Sequence, residues 1–179
     1  DAIAKVVRNL TPLGFDVVVA SGAEEAVAGA DIVTTCTADK AQARVLEATA
    51  VEPGMHINAI GGDCPGKTEL DPRILELAEV FVEFTPQTRI EGELQQMPAD
   101  FEVTELWRVL TGDAPGRLSP DSITVFDSVG FAIEDFSALR FVRDAVDGTD
   151  LYETIDLVAS PDDPKDLFGL VPSFSPVGG

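Results

Sequence analysis

The chain has 179 residues, 45% of them apolar, which suits one ordinary domain with a buried core and excludes a wholly disordered chain. Its formal net charge is −20, and the twelve Lys and Arg residues are spread along the sequence. Nucleic acid is therefore excluded as a partner, because binding phosphates needs clustered cations. No apolar run reaches the length of a membrane span and no charged-then-apolar leader opens the chain, so we expect no membrane partner.

The net charge and the two cysteines indicate the protein's surface and cellular environment rather than a catalytic mechanism. We interpret the acidity as a solvated surface, with attraction of a cationic substrate as the alternative. Cys36 and Cys64 have no metal-type spacing, so we expect no metal site and a reducing, cytoplasmic location. A disulfide between the two stays open.

Helices and strands alternate along the chain. An apolar stripe at helical spacing predicts a first helix over residues 3–10. A chain that opens on such an unpartnered helix suggests a fragment whose N-terminal part is absent. Short apolar, β-branched runs predict five strands, at Phe15–Ala20, Ile32–Cys36, His56–Ile60, Val80–Phe84 and Ile123–Phe126.

Five further helices follow from capping residues and periodicity. Ser21 begins a capping box that opens a helix through Gly29, and Asp71-Pro72 opens another. The other helical patterns are one marked by Ile90, Leu94 and Met97, one over 103–110 with Trp107 on its apolar stripe, and one from Ala132 to Val146. We interpret Trp107 as a core residue, and Glu91 and Glu93 as helix surface.

This alternation predicts a doubly wound α/β fold, a Rossmann-type parallel sheet that is truncated at its N-terminus and carries a C-terminal tail. We expect residues 1–147 to form a partial nucleotide-binding domain, without its first strand and glycine loop. Residues 148–179 form a C-terminal segment that we expect to be partly loose.

The loop over residues 61–70 follows the predicted strand at His56–Ile60. Gly61-x-x-x-x-Gly66-Lys67-Thr68 matches the letters of a phosphate-binding P-loop. Two residues speak against that interpretation, because Pro65 lacks an N–H and Asp63 places a carboxylate where phosphates would bind. The next helix also begins only at Pro72. We therefore favour the loop as the carrier of a functional aspartate, and the P-loop NTPase remains the outside alternative.

Ligands of such sheets bind beyond the carboxyl ends of the strands. In this sequence those ends carry small hydroxyl, amide and glycine residues, at 35–37, 58–63, 85–87 and 127–130. The sequence contains no Gly-x-Gly-x-x-Gly, so the pyrophosphate grip of a dinucleotide fold is missing from it.

Several stretches together resemble the ornithine cyclodeaminase/μ-crystallin family, over nearly the whole chain but only about the C-terminal half of the family's length. The most specific is Gly-Asp-Cys-Pro-Gly-Lys-Thr-Glu-Leu at 62–70, which is similar to cyclodeaminases acting on ornithine or lysine. The other matching stretches are 30–40, 53–61, 86–96, 126–131, 134–139 and 162–169. The resemblance implies a protein that binds NAD, converts L-ornithine to L-proline and ammonia without net oxidation, and is a homodimer at full length.

The resemblance also implies roles for individual residues. Asp63 matches the catalytic aspartate, a proton carrier that also contacts the substrate, and Val129 lies beside the substrate. The positions that match nucleotide contacts are Thr37, Asn58, Ala59, Ile60, Lys67 and Ser128. From the residues alone, Asp63 could instead stabilise a turn, Lys67 could be a solvated surface lysine, and His56 would pack or hydrogen-bond.

Three alternatives within the family stay open: a lysine cyclodeaminase, another amino-acid dehydrogenase, or a non-catalytic nucleotide-binding protein of the μ-crystallin type. The family's other substrate- and cofactor-binding residues lie upstream of Asp1, so we expect the fragment alone to be inactive.

Overall fold

A computed structural model describes residues 2–37 and 44–155 of the chain. It forms two units, residues 1–134 and residues 135–179, and each is described by itself. The helices are α1 (Ala2–Leu10), α2 (Ala23–Val27), α3 (Pro72–Leu77), α4 (Thr85–Glu91), α5 (Leu106–Thr111) and α6 (Ala132–Val146). The strands are β1 (Ile32–Thr35), β2 (His56–Ala59), β3 (Glu79–Val82), β4 (Thr104–Glu105) and β5 (Thr124–Asp127).

The five strands form one parallel sheet in the order β1-β2-β5-β3-β4. Thr35 pairs with Ala59, Ala59 pairs with Asp127, and Asp127 pairs with Val82, so four strands end level with one another. We call this side of the sheet the carboxyl edge. The α/β class and the parallel sheet predicted from the sequence are confirmed.

The core of the first unit lies on one face of the sheet. Alternate residues of a strand point to opposite faces, and Ile57, Val82 and Val125 are buried against α3. α3 contributes Ile74 and Leu75 to this cluster. The other members of the core are Val27, Val33, Leu46, Met55, Ala59, Leu70, Val80 and Leu94.

Asp71 and Pro72 begin α3 as the sequence predicts. The Asp71 carboxylate accepts a hydrogen bond from the Arg73 amide (3.0 Å), and Pro72 occupies the first helical position, where its missing N–H has no partner to lose. No helix therefore starts at Lys67-Thr68, which removes the geometry of a P-loop.

Two predicted elements differ from the structure. Phe15–Ala20 is not a strand, because the described residues offer it no neighbouring strand and a β-ladder needs one. The predicted helix through Ile90 and Met97 is interrupted: α4 ends at Glu91, and a separate 3₁₀ turn covers Glu93–Gln96.

The interpretation of Trp107 as a core residue is wrong. Its side chain is 52% exposed, and its indole N–H donates to the Glu105 carboxylate at 2.8 Å. The helix predicted over 103–110 is also shorter, because Thr104–Glu105 pairs with β3 as β4 before α5 begins.

Some expectations concern residues whose structure is not described. The matching stretch at 162–169 and most of the C-terminal segment lie outside the described residues. The boundary at residue 147 stays a prediction. Among the described helices, none combines the length and apolarity needed to cross a membrane.

Asp127 explains the break between α4 and the 3₁₀ turn. Its carboxylate accepts hydrogen bonds from the amides of Glu93 (3.0 Å) and Leu94 (2.9 Å), which are the free N–H groups at the start of the turn. Gly92 leaves room for this contact, since a Cβ there would lie 2.6 Å from an Asp127 oxygen and from the Thr88 methyl group.

We therefore expect Gly92→Ala to destabilise the protein by about 1–3 kcal/mol, because the added methyl group overpacks this contact. Gly116→Ala is the matched control, since its Cβ would meet only the Val109 methyl at 3.4 Å. Urea unfolding of the two variants measures the difference. Equal free energies of unfolding for Gly92→Ala and wild type would contradict the statement that Gly92 leaves the room needed for the Asp127 contact.

Candidate functional site

The carboxyl edge brings together three segments that sequence analysis singled out. Thr37 follows β1, residues 60–70 follow β2, and Ser128 follows β5. Backbone hydrogen bonds continue the pairing beyond the strands, from the Ile60 amide to Thr35 (3.1 Å) and from the Ser128 amide to Ala59 (3.0 Å). Thr37, Ser128 and the loop that carries Asp63 and Lys67 therefore follow the ends of neighbouring strands.

Asp63 and Lys67 form an ion pair within the loop, with 3.2 Å between Lys67 Nζ and Asp63 Oδ1. The two side chains differ sharply in exposure, 69% for Asp63 and 5% for Lys67. The surface-lysine alternative for Lys67 is therefore wrong. The hydrogen bond and charge of Lys67 hold the pKa of Asp63 below its usual range. Asp63 is thus an ionised carboxylate, able to accept a proton and open to a ligand.

The turn between these two residues is fixed by Gln95. Its side-chain oxygen accepts from the Gly66 amide (2.6 Å), and its side-chain nitrogen donates to the carbonyls of Lys67 (3.0 Å) and Gly92 (2.8 Å). Gly66 adopts a left-handed backbone, φ 85°, which glycine takes at little cost. The loop is thereby tied to the 3₁₀ turn.

Two glutamates hold the other candidate contacts. Glu69 accepts from the Thr37 amide at 2.7 Å and also from the Thr37 hydroxyl. Glu83 accepts from the Ser128 hydroxyl and from the amides of Val129 (3.2 Å) and Gly130 (2.7 Å). The segments that follow β1 and β5 are therefore each held by a carboxylate that accepts from one hydroxyl and at least one amide.

The remaining predicted contacts are placed differently. Ala59 is buried, whereas the Ile60 side chain is 47% exposed. Asn58 lies on the sheet face away from the core, where its amide donates to Thr34 (3.3 Å) and its oxygen lies 3.1 Å from His56 Nε2. The other ring nitrogen of His56 lies 2.7 Å from the Thr124 hydroxyl. Asn58 is thus engaged along the strand rather than beyond its end.

Sequence analysis missed a series of three buried carboxylates, and the interpretation of Glu93 as helix surface is wrong. Asp127 binds the Glu93 and Leu94 amides, and Glu93 in turn accepts from the amides of Glu69 (2.6 Å) and Leu70 (3.1 Å). Glu69 then binds Thr37. We call Asp127, Glu93 and Glu69 the carboxylate series. The available signal was the small residue Gly92 beside Glu93, which permits this close approach.

Burial changes the acidity of two members of the series. It raises the pKa of Glu93 to about 7, although the amides of Glu69 and Leu70 act in the opposite direction. Burial likewise raises the pKa of Asp127 to about 6, with a small contribution from the negative charge of Glu83. Desolvation of the charged form therefore outweighs the amide hydrogen bonds at both positions.

Neither a disulfide nor a metal site is found among the described residues. Both cysteines are free thiols, so the disulfide alternative is wrong. Within the described residues, no group of three His, Cys, Asp or Glu side chains could hold a metal ion.

The fold and this edge define an α/β protein of the Rossmann type. The model of the ornithine cyclodeaminase/mu-crystallin family matches residues 1–150, and the chain belongs to that family. The ornithine cyclodeaminase of Brucella suis is 59% identical over 170 residues, which cover 95% of this chain and 48% of that protein. The chain thus spans about half the length of the relatives it matches.

Two solved structures have the same fold. One is a lysine cyclodeaminase, described for its recognition of L-lysine, L-ornithine and L-2,4-diaminobutyric acid, with 35% identity, a TM-score of 0.77 and coverage of 94% of this chain and 49% of that one. The other is an archaeal alanine dehydrogenase dimer with bound NAD, with 32% identity, a TM-score of 0.77 and coverage of 86% and 49%.

The raised pKa of Glu93 predicts how stability depends on pH. The folded state binds this proton more tightly than the unfolded state, whose pKa is near 4.5. Its contribution is therefore fully present below pH 4.5 and is lost as the pH rises through about 7. Between about pH 5 and pH 8, we expect Glu93 to account for a fall in unfolding free energy on the order of 2 kcal/mol.

Urea unfolding of Glu93→Gln at both pH values tests this, since glutamine cannot titrate and the variant should show a smaller fall than wild type. Glu102→Gln is the control, because Glu102 is exposed and its removal should leave the fall unchanged. Equal falls in wild type and Glu93→Gln would contradict the prediction.

Proposed function

We propose that this chain carries the catalytic edge of an NAD-dependent ornithine cyclodeaminase, which converts L-ornithine to L-proline and ammonia. The observation that carries the proposal is the Asp63–Lys67 pair, an ionised, accessible carboxylate beside the ends of β1, β2 and β5. The 59% identity to the Brucella suis enzyme supports the same activity. The protein of which this chain forms part is proposed to act in the cytoplasm as a homodimer.

The donors and acceptors at the carboxyl edge fit a nicotinamide dinucleotide. The hydroxyls of Thr37 and Ser128 donate to Glu69 and Glu83, so their oxygen lone pairs remain available to accept from the ribose hydroxyls or carboxamide of NAD. The Lys67 ammonium has three donors, of which Asp63 takes one. Ile60 offers an exposed apolar side chain on which a nicotinamide ring can pack. Ala59 is proposed to contact the nucleotide through its backbone, and Asn58 from the adjoining strand position.

NAD, when bound, accepts a hydride from the amino acid and later returns it. The residues of this chain would supply the proton transfers that accompany these two events. Asp63 is proposed to accept a proton from a substrate ammonium, to orient the side-chain amine as it attacks the imine carbon, and to return a proton to the departing ammonia. Val129 is proposed to lie beside the substrate, on the segment that Glu83 holds.

Lys67 prepares Asp63 for this role. Its hydrogen bond and positive charge lower the pKa of Asp63 below its usual range, and the Lys67 side chain itself is buried. Because the charge of Lys67 favours the ionised form, the pair can accept a proton only transiently and returns it readily.

Other amino acids are the competing substrates. The lysine cyclodeaminase is similar over 94% of this chain, and its substrate L-lysine is one methylene longer than ornithine. The archaeal alanine dehydrogenase shares the fold and binds NAD. We favour ornithine because the identity to the ornithine enzyme is 59%, against 35% and 32% for these two. A non-catalytic role of the μ-crystallin type would not require the ionised Asp63.

Asp63→Asn tests the proposal in the product of the full reading frame that carries this chain. The asparagine keeps the shape of the side chain but cannot accept a proton, so ammonia release from ornithine should fall by at least about 100-fold. Binding of NADH, followed by its fluorescence, should stay within about twofold of wild type, because a shape-preserving change leaves the nucleotide contacts in place.

Asp121→Asn is the matched control, since Asp121 is exposed just before β5, at the opposite edge of the sheet. It should change neither quantity. Unchanged ammonia release by Asp63→Asn would remove Asp63 from the chemistry. Faster release from lysine or alanine than from ornithine would replace the proposed substrate.

A further inference from the structure

Glu69 occupies an unusual position between two parts of the site. Its side chain is buried, and one oxygen, Oε1, binds both the amide and the hydroxyl of Thr37. The other oxygen, Oε2, is buried without a hydrogen-bond partner among the described residues. A Cβ on Gly61 would lie 2.0 Å from Oε2, so the carboxylate is pressed against the first residue of the loop that carries Asp63.

The backbone of Glu69 is held as firmly as its side chain. Its carbonyl accepts from the amides of Val45 (2.7 Å) and Leu46 (3.2 Å), and its own amide donates to Glu93 at 2.6 Å. Through Glu93 and Asp127, this anchor extends to the end of β5. Thr37 is therefore held by Glu69, which is linked through Glu93 to Asp127 on β5, the central strand of the sheet.

Glu83 provides an independent instance of the same arrangement. It binds a hydroxyl and two amides at Ser128–Gly130, just as Glu69 binds a hydroxyl and an amide at Thr37. In both cases the hydroxyl donates its hydrogen bond to the carboxylate, so its oxygen lone pairs remain free to accept from another group. Glu69 and Glu83 thus orient the Thr37 and Ser128 hydroxyls, the two hydroxyls that are proposed above to contact the nucleotide.

We propose that Glu69 is a positioning residue, which fixes the Thr37 hydroxyl as an acceptor for the cofactor. This inference rests on the proposed function and assigns it a residue that does not itself touch the substrate. Glu69 acts through Thr37, so its effect on cofactor binding must disappear once Thr37 has lost its hydroxyl.

A double-mutant cycle on the product of the full reading frame tests this dependence. Glu69→Leu, which has no acceptor oxygen, and Thr37→Val should each raise the dissociation constant of NADH by about 10-fold, the effect of losing one oriented hydrogen bond. The double variant should also be about 10-fold weaker, because both changes remove the same contact. NADH affinity is read by fluorescence titration, and circular dichroism establishes that each variant is folded.

Glu79→Leu is a closely matched control. Glu79 likewise accepts from a hydroxyl, that of Ser122 (2.7 Å), and from an amide, that of Leu118 (3.2 Å), but it begins β3 at the opposite edge of the sheet. It should leave NADH affinity unchanged. An equal loss of NADH affinity in Glu79→Leu would mean that any such carboxylate matters through general stability, which overturns the proposal.

The other outcomes separate the inference from the proposed function. Wild-type NADH affinity in Glu69→Leu, or additive losses near 100-fold in the double variant, would overturn the inference alone. A wild-type protein that binds no NADH would overturn both. Should Glu69→Leu fail to fold, Glu69→Asp takes its place, because its carboxylate is one methylene too short to reach Thr37. A loss of NADH affinity of about 10-fold in that variant would support the inference, and wild-type affinity would overturn it.

Discussion

The carboxylate series is the interaction on which the site depends. Asp127, Glu93 and Glu69 are all buried, and each accepts hydrogen bonds from backbone amides rather than from a cation. Burying an ionised carboxylate is costly unless its oxygens find donors, and amides of neighbouring segments are the donors here. The cost remains visible in the raised pKa values of Glu93 and Asp127. In return, one series joins the end of β5, the 3₁₀ turn, the loop and Thr37.

At the carboxyl edge, most of the carboxylates that shape the site are turned towards the protein backbone, whereas one carboxylate is exposed to solvent. The buried carboxylates accept hydrogen bonds from backbone amides, and the carboxylates of buried Glu69 and half-buried Glu83 also accept from the Thr37 and Ser128 hydroxyls. Asp63 is the exception at this edge, since it is exposed and its partner Lys67 is the buried member of the pair. A reaction that moves protons between amines needs one accessible carboxylate on a fixed support, and the loop supplies it. Acidic residues at this edge thus have two different roles: some hold the backbone and the hydroxyls in place, and Asp63 is accessible to a ligand.

Local sequence patterns predicted the parts of the fold that depend on local chemistry. Asp71-Pro72 gave the start of α3, and apolar runs gave four of the strands, because capping and burial leave marks within a few residues. Phe15–Ala20 has the same local marks but is not a strand, since pairing depends on a neighbour that a local pattern cannot show. The burial of Glu93 and Lys67 was missed for a similar reason: only tertiary contacts provide donors and cover for a charge. The loop carrying Asp63 was found through its glycines and its resemblance to a family.

The central claim is that Asp63 stands beside the reacting amine at the carboxyl edge. A crystal structure of the full reading frame's product with NADH and L-proline tests it most directly. The account predicts the Asp63 carboxylate within about 3 Å of the proline nitrogen, either directly or through one water molecule, with the nicotinamide ring lying over the ends of β1 and β2. A structure with proline and nicotinamide bound together elsewhere, and Asp63 still facing solvent, would contradict it.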